Sequence, residues 1–392
     1  MILTYFLYII YITYYYNKLI TIKNMKSKIP LYEPSISYRE KKNVLECLNQ
    51  QWISSKGRFS KLFENEIKKF TKIKYCTTAV NGTAALHLCL LALNIKEKDE
   101  IIVPTFTYIA SVNCIKYVGA KPIFVDSDFK TMQISIDDIE KKISKKTKAI
   151  IVPHLYGYSC NLTKLLRLKK KYKIYLIEDC AEALGSFYKK KHLGNFGDIC
   201  AFSFFGSKTI STGEGGMVCS NNKLLIKKVI KFKGQGLNIT KKKKYYWHDV
   251  IGYNYRMTNI CAGLGYAQIT RISQILKKKK NIYKFYKKNL DNKHIEFPIE
   301  VDGLDSCYWL IVIFFRSKKI NKSINKILNK NNIETRPTFY PVHTMPMYKS
   351  KSYFKNANQL NDLGLCLPSF PGLKNRQLKK ICKIINEYFK KS

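Results

Sequence analysis

From Tyr75 onward, short apolar runs rich in β-branched residues alternate with helical stretches, and this alternation constrains the fold more than any other feature of the chain. It is the pattern of a mostly parallel sheet with helices packed on both faces, an α/β architecture. Candidate strands are Glu100 to Val103, Pro122 to Val125, Ala149 to Pro153, Ile174 to Glu178, Ala201 to Phe204 and Gly216 to Cys219. Their near-continuous apolar character suits strands buried on both sides. The helix beginning at Thr83 reads AALHLCLLALN, hydrophobic almost all round, and so belongs deep in the domain.

After Gln268 the texture changes. Ile269, Ile272, Leu276, Tyr283, Tyr286 and Leu290 recur at helical spacings over a lysine-rich opposite face, which predicts a long amphipathic helix leading out of the first domain. From about His294 follow an aromatic strand, Tyr308 to Phe315, a polar helix, the loop ETRPTFYPVH and a closing helix, together a smaller α/β lobe. The expected organisation is an extension over 1–24, a large domain over 25–268, and a connecting helix with a small C-terminal domain over 269–392. The extension, MILTYFLYIIYITYYYNKLITIKN, approaches the length of a membrane span. Its repeated tyrosines, interrupting threonines and lack of a basic n-region or cleavage site favour a dispensable segment over a membrane anchor.

The formal charge of +43 invites a nucleic-acid or membrane partner. The lysines, however, are spread over the whole length among many Ile, Asn and Tyr, as an AT-rich coding sequence would produce, and no zinc-finger spacing or helix-turn-helix pattern accompanies them. The 12 cysteines include no CxxC, which argues against a structural zinc site or a redox pair. Several lie in apolar runs, where free Cys acts as a small hydrophobe, and a reducing cytoplasm is the natural setting.

In an open parallel sheet, ligands bind beyond the carboxyl ends of the strands. Four segments stand out there. In VNGTAALHL, Asn81, Gly82 and Thr83 join a strand to a buried helix, where backbone N–H groups and the Thr83 hydroxyl could hold a phosphate; Gly-Thr is also an ordinary helix cap. In IYLIEDCAEALGS an apolar strand runs into Glu178 and Asp179, and a carboxylate buried there needs a cationic partner such as a protonated pyridine nitrogen; an N-cap of the next helix would explain one acid, not the pair. In FSFFGSKTISTGEGGMV, Lys208 sits between an apolar strand and a glycine-dense turn, the crowded setting a catalytic amine requires. In WHDVIGYNYRMTNICAGLGYAQI, Asn254 and Arg256 precede a helix of small residues and could pack as core or reach a neighbouring subunit.

With these segments in order from about Ile29 to the C-terminus, the chain resembles the DegT/DnrJ/EryC1/StrS sugar aminotransferases, which share the aspartate-aminotransferase fold called fold type I. The resemblance implies pyridoxal 5'-phosphate carried on Lys208 as a Schiff base. It implies Asp179 at the pyridine nitrogen, Gly82, Thr83 and Ser203 at the phosphate, and Tyr108 stacked on the ring. Asn254 would reach the phosphate of a partner subunit, making the active unit a homodimer. Glu182, where relatives carry Gln or His, would lie beside the ring oxygen and resembles the branch that makes perosamine from GDP-4-keto-6-deoxymannose. Ser55 in WISSKGRFSKLFE, His154 in HLYGYSCNL, and Arg336 and His343 in RPTFYPVH would border the nucleotide-sugar pocket. No carboxylate-histidine spacing points to a metal. Related sugar 3-dehydratases replace the lysine by histidine, so Lys208 favours transamination, with L-glutamate as the implied donor. A UDP- or dTDP-linked keto sugar is the alternative substrate, and a non-catalytic basic binder on the same scaffold is the alternative of another class.

Overall fold

The computed structural model describes residues 28–238 and 246–390; the extension expected over 1–24 lies outside the described residues. Among the described residues no helix is long and apolar enough to cross a membrane. Helices α1 (Tyr38–Asn49) and α2 (Arg58–Thr71) precede a sheet of β1 (Tyr75–Ala79), β2 (Glu100–Pro104), β3 (Lys121–Val125), β4 (Thr147–Pro153), β5 (Tyr175–Asp179), β6 (Ile199–Ser203) and β7 (Gly216–Ser220). The spatial order is β1-β7-β6-β5-β4-β2-β3. Helices α3 (Gly82–Ala92), α4 (Ala110–Tyr117), α5 (Ile136–Lys142) and α6 (Leu162–Tyr172) lie between the strands, and α7 (Lys223–Lys233) follows the last.

Both faces of this sheet are buried, as the apolar runs predict. Ile101, Val103, Ala149, Ile151 and Ile177 enter one core together with α3, while Ile102, Ile150, Val152 and Leu176 enter the other. That is the two-residue period of a strand covered on both sides. Leu86, Leu88, Cys89 and Leu90 of α3 are all buried, and each buried leucine contributes roughly 1.5–3 kcal/mol.

The rest of the chain forms α8 (Asn259–Ile269) and α9 (Ile272–Asn289), then an antiparallel sheet of β8 (Ile295–Glu296), β9 (Ile311–Phe315), β10 (Arg336–Pro337) and β11 (Gly364–Leu367). Helices α10 (Lys318–Lys330), α11 (Lys355–Leu363) and α12 (Asn375–Lys390) complete this second unit. The N-terminal segment belongs to it by its contacts: Ile29 bridges Ile333, and the Ser369 N–H donates to the Leu31 carbonyl at 3.2 Å.

Three details differ from the sequence reading. Strand β7 runs antiparallel to both of its neighbours, β1 and β6. The helix expected to run on from Ile269 is interrupted, because the Arg271 guanidinium turns to bind the buried Glu40 carboxylate at 2.7 Å, and Ile269 closes α8 instead. The aromatic strand begins at Ile311, not Tyr308. Tyr308 adopts φ +49° and stacks on Tyr283 at 3.9 Å, and the Trp309 N–H donates to the Tyr156 carbonyl, so neither residue is free to join the sheet.

The carboxyl ends of β1, β2, β4, β5 and β6 share one edge of the large sheet. Strand β7, running the other way, brings its first residue to that edge. A Cβ on Gly216 would lie 2.3 Å from the Asn81 carbonyl oxygen, so only glycine lets β7 pass the start of α3. Gly216→Ala is expected to lower stability by about 1–3 kcal/mol in urea unfolding. An unchanged midpoint would reject the close approach.

Candidate active site

Beyond that edge lies a cavity of about 390 Å³, lined by Gly82, Thr83, Tyr108, His154, Asp179, Glu182, Ser203, Lys208 and Arg336 among the residues singled out from sequence. Lys208 sits in the turn after β6, its N–H donating to the Phe205 carbonyl at 2.9 Å and its carbonyl accepting from the Tyr32 hydroxyl. Its side chain is 12% exposed, with Nζ 3.5 Å from Glu182 Oε1 and 3.9 Å from the centroid of the Trp309 ring. The Trp309 indole N–H donates to the Ser207 carbonyl at 2.7 Å, which locks this aromatic face against the lysine turn.

The two acids ending β5 point opposite ways and do different things. Glu178 is fully buried and accepts from His154 Nε2 at 2.9 Å and from the amides of Gly194, Phe196 and Gly197 at 2.8, 2.7 and 2.6 Å. Burial alone would raise its carboxyl, but the His154 contact and the amides of Gly197 and Gly194 outweigh burial and hold it below its ordinary value. It is a structural anchor. Asp179 accepts from Ser111 Oγ at 2.6 Å and from the Ala181 amide at 3.0 Å, and it lines the cavity. Among the described residues no lysine or arginine pairs with it. A buried carboxylate lacking a cation at the foot of a cavity fits a ligand that brings a protonated ring nitrogen.

Glu182 is also buried. Its Oε2 accepts from the Tyr156 amide at 2.7 Å, and burial pushes its carboxyl up to about 7, with the Lys208 charge partly opposing that rise. At neutral pH it is therefore poised between its protonated and ionised forms.

At the cavity's other end, Asn81 caps α3, its side chain accepting from the Ala84 amide at 2.8 Å and its carbonyl from the Ala85 amide at 3.0 Å. Gly82 and Thr83, whose amides precede these at the positive end of the helix, line the cavity. A Cβ on Gly82 would lie 2.7 Å from Ser203 Cβ, so this glycine brings the helix start and the Ser203 hydroxyl onto one small patch. That patch suits a phosphate. Tyr108 is 56% exposed and flanks the opening with Phe339, ring centroids 5.9 Å apart.

Not every candidate meets the cavity. His343 is buried against β2, with Nδ1 2.8 Å from Thr105 Oγ1. Ser55 and Asn254 do not line it, and Asn254 is exposed, bridged to Gly234. His154 lines it, but its Nε2 is committed to Glu178. Cys180 approaches His154 and Glu178 closely enough for a metal, yet the Glu178 oxygens are already taken by His154 and the amides. Sequence reasoning missed Trp309 and Tyr32. The signal for Trp309 was present in the aromatic run Tyr308 to Phe315 but pointed to a strand, and Tyr32 carried none.

The profile of the DegT/DnrJ/EryC1/StrS aminotransferase family matches residues 34–386. The chain is similar to a GDP-perosamine synthase of Escherichia coli O157:H7, 52% identical over 92% of this chain and 98% of that one. A GDP-perosamine synthase of Vibrio cholerae is 44% identical over 92% and 99%. Among solved structures, Helicobacter pylori PseC, an aminotransferase involved in the biosynthesis of pseudoaminic acid, superposes with a TM-score of 0.87 at 27% identity, covering 93% of this chain and all of that one. Fold, cavity and similarity agree: the chain belongs to the DegT/DnrJ/EryC1/StrS aminotransferases, pyridoxal-phosphate-dependent enzymes of fold type I.

Proposed function

We propose that this chain transfers the amino group of L-glutamate to GDP-4-keto-6-deoxymannose and forms GDP-perosamine, with pyridoxal 5'-phosphate held on Lys208. The observation that carries the catalytic part is the amine of Lys208 in a cavity that has an unpaired buried carboxylate, Asp179, and an open helix start, Gly82 and Thr83. The substrate assignment rests on relatives named GDP-perosamine synthase at 52% and 44% identity over nearly their full length. When bound, the cofactor supplies an electron sink.

The chain's own residues do the rest. Lys208 would hold the cofactor until the donor amine displaces it, and its freed amine would then take the proton from the donor Cα and return it at C4′ as general acid and base. Asp179 keeps the ring nitrogen protonated. Gly82, Thr83 and Ser203 hold the phosphate, Tyr108 covers the ring, and Glu182 lies beside the ring oxygen, where a carboxyl titrating about 7 can hold or release a proton. Arg336 and His154 border the sugar nucleotide, Ser55 stands away from this chain's cavity, and His343 acts through Thr105. The partner subunit's Asn254 completes the phosphate site in a homodimer. The exposure of Asn254 on its own chain, near exposed Trp247 and Ile251, supports that reading. Twelve free cysteines, eleven of them buried, support a cytoplasmic home.

Incubation with GDP-4-keto-6-deoxymannose and L-glutamate should yield a product whose mass matches GDP-perosamine; turnover only with a UDP- or dTDP-linked keto sugar would reject the substrate. Borohydride should fix the cofactor to the peptide containing Lys208, and label on any other peptide removes the site assignment. Heterodimers of Lys208→Ala and Asn254→Ala chains carry both defects in one site, so mixing two inactive parents should recover up to about a quarter of wild-type activity. No recovery despite proven heterodimers would end the shared-site model.

The raised carboxyl of Glu182 sets a further expectation for the cofactor-free chain. Between 4.5 and about 7 the folded state holds a proton that the unfolded state has lost, so stability falls as pH rises through this window. Glu182→Gln removes the titration, and its stability relative to wild type should climb across the window by on the order of 3 kcal/mol. Parallel stability profiles would show that Glu182 titrates normally.

A further inference from the structure

Lysine is abundant on this chain's surface, but Lys279 of α9 is wholly buried. Its Nζ donates to the Trp309 carbonyl at 3.0 Å and to the Ser369 carbonyl at 2.8 Å, and lies 5.4 Å from the centroid of the Tyr32 ring. Among the described residues no carboxylate pairs with it. Burial draws its amine down to about 8, and the one opposing influence is the Cys307 thiol. An unpaired ammonium in a protein interior is costly, and a methionine of similar volume would pack there without that cost.

What Lys279 touches gives the reason for its presence. Besides Glu182, Tyr32 and Trp309 hold Lys208 from outside its own turn: the Tyr32 hydroxyl donates to the Lys208 carbonyl, and the Trp309 ring lies 3.9 Å from Nζ. Trp309 follows a residue at φ +49° and stands before β9, so no sheet hydrogen bond fixes its carbonyl. Lys279 does that instead. It ties the carbonyl to the second unit's core through Ser369, while Tyr156 stacks on the indole at 5.9 Å.

We infer that Lys279 is a positioning residue for the reaction: by hydrogen-bonding the Trp309 carbonyl it sets the aromatic face against which Lys208 presents its amine to the cofactor. It touches neither cofactor nor substrate. The inference rests on Lys208 being the cofactor lysine, and goes beyond that reading by assigning the geometry of the amine to a residue in the second unit.

The test follows the visible absorbance that develops when pyridoxal 5'-phosphate is added to cofactor-free protein at one fixed pH. Lys279→Met, which keeps volume but loses the donor, should slow this linkage roughly tenfold, as expected for a misplaced nucleophile. Lys279→Gln keeps a donor without the charge and should stay within about threefold of wild type. Trp309→Leu should slow linkage by a factor similar to Lys279→Met, and the double variant Lys279→Met/Trp309→Leu should be no slower than Trp309→Leu, since both changes remove one effect. A wild-type rate in Lys279→Met, effects that multiply in the double variant, or equal losses in Met and Gln each overturn the inference; so does a wild-type rate in Trp309→Leu, which decides the matter even if Lys279→Met does not fold. Borohydride labelling of the wild type separates the two failures. Label away from Lys208 rejects the site, whereas label on Lys208 with an unchanged Lys279→Met rate rejects only the role of Lys279.

Discussion

The site depends on a single alternation at the end of β5. Successive side chains of a strand face opposite sides, so a strand ending in two acids must send one each way. Glu178 goes into the loop 194–197, where three amides and His154 neutralise the cost of its burial. With that loop and the strand end pinned together, Asp179 is left facing the cavity, and its backbone carbonyl accepts from the His154 amide. A one-residue slip would exchange the two carboxylates, leaving the cavity without its acid and the loop without its anchor.

The other groups reach the same edge by equally local means. Asn81 caps α3 and frees the two amides before Ala84; Gly82 lets Ser203 approach; Gly216 lets an antiparallel strand pass. Each is a backbone requirement met by one residue type, and that is why these segments could be found in the sequence. Period and composition reveal where an apolar strand stops and a capped helix or a glycine-dense turn starts, so the edges carrying Gly82, Asp179 and Lys208 were legible. So was the depth of α3.

What was not legible depends on residues far apart in the chain. Hydrophobic periodicity has no direction, so nothing in Gly216 to Ser220 says that β7 runs against its neighbours. The break between α8 and α9 comes from Arg271 reaching Glu40, 231 residues away. The run Tyr308 to Phe315 has strand composition throughout, and only the stacking of Tyr308 on Tyr283 and the bonds of Trp309 to Tyr156 and Lys279 keep its first residues out of the sheet. Glu178 and Asp179 looked like a functional pair, but only the contacts with Gly194, Phe196 and Gly197 separate a buried anchor from the acid that faces the cavity.

The support around Lys208 comes from both ends of the chain. Tyr32 lies 176 residues before it, and Trp309 bonds to Ser207 across 102 residues. The strand edge carrying Lys208 can form once β7 has been made, but its aromatic face waits for Trp309, and the carbonyl that shares Lys279 with Trp309 waits for Ser369. On a translating ribosome the sheet can therefore assemble well before the lysine acquires its surroundings. A nascent chain stopped short of Ser369 would hold Lys208 in an unfinished setting, so its surroundings are complete only when synthesis is nearly done.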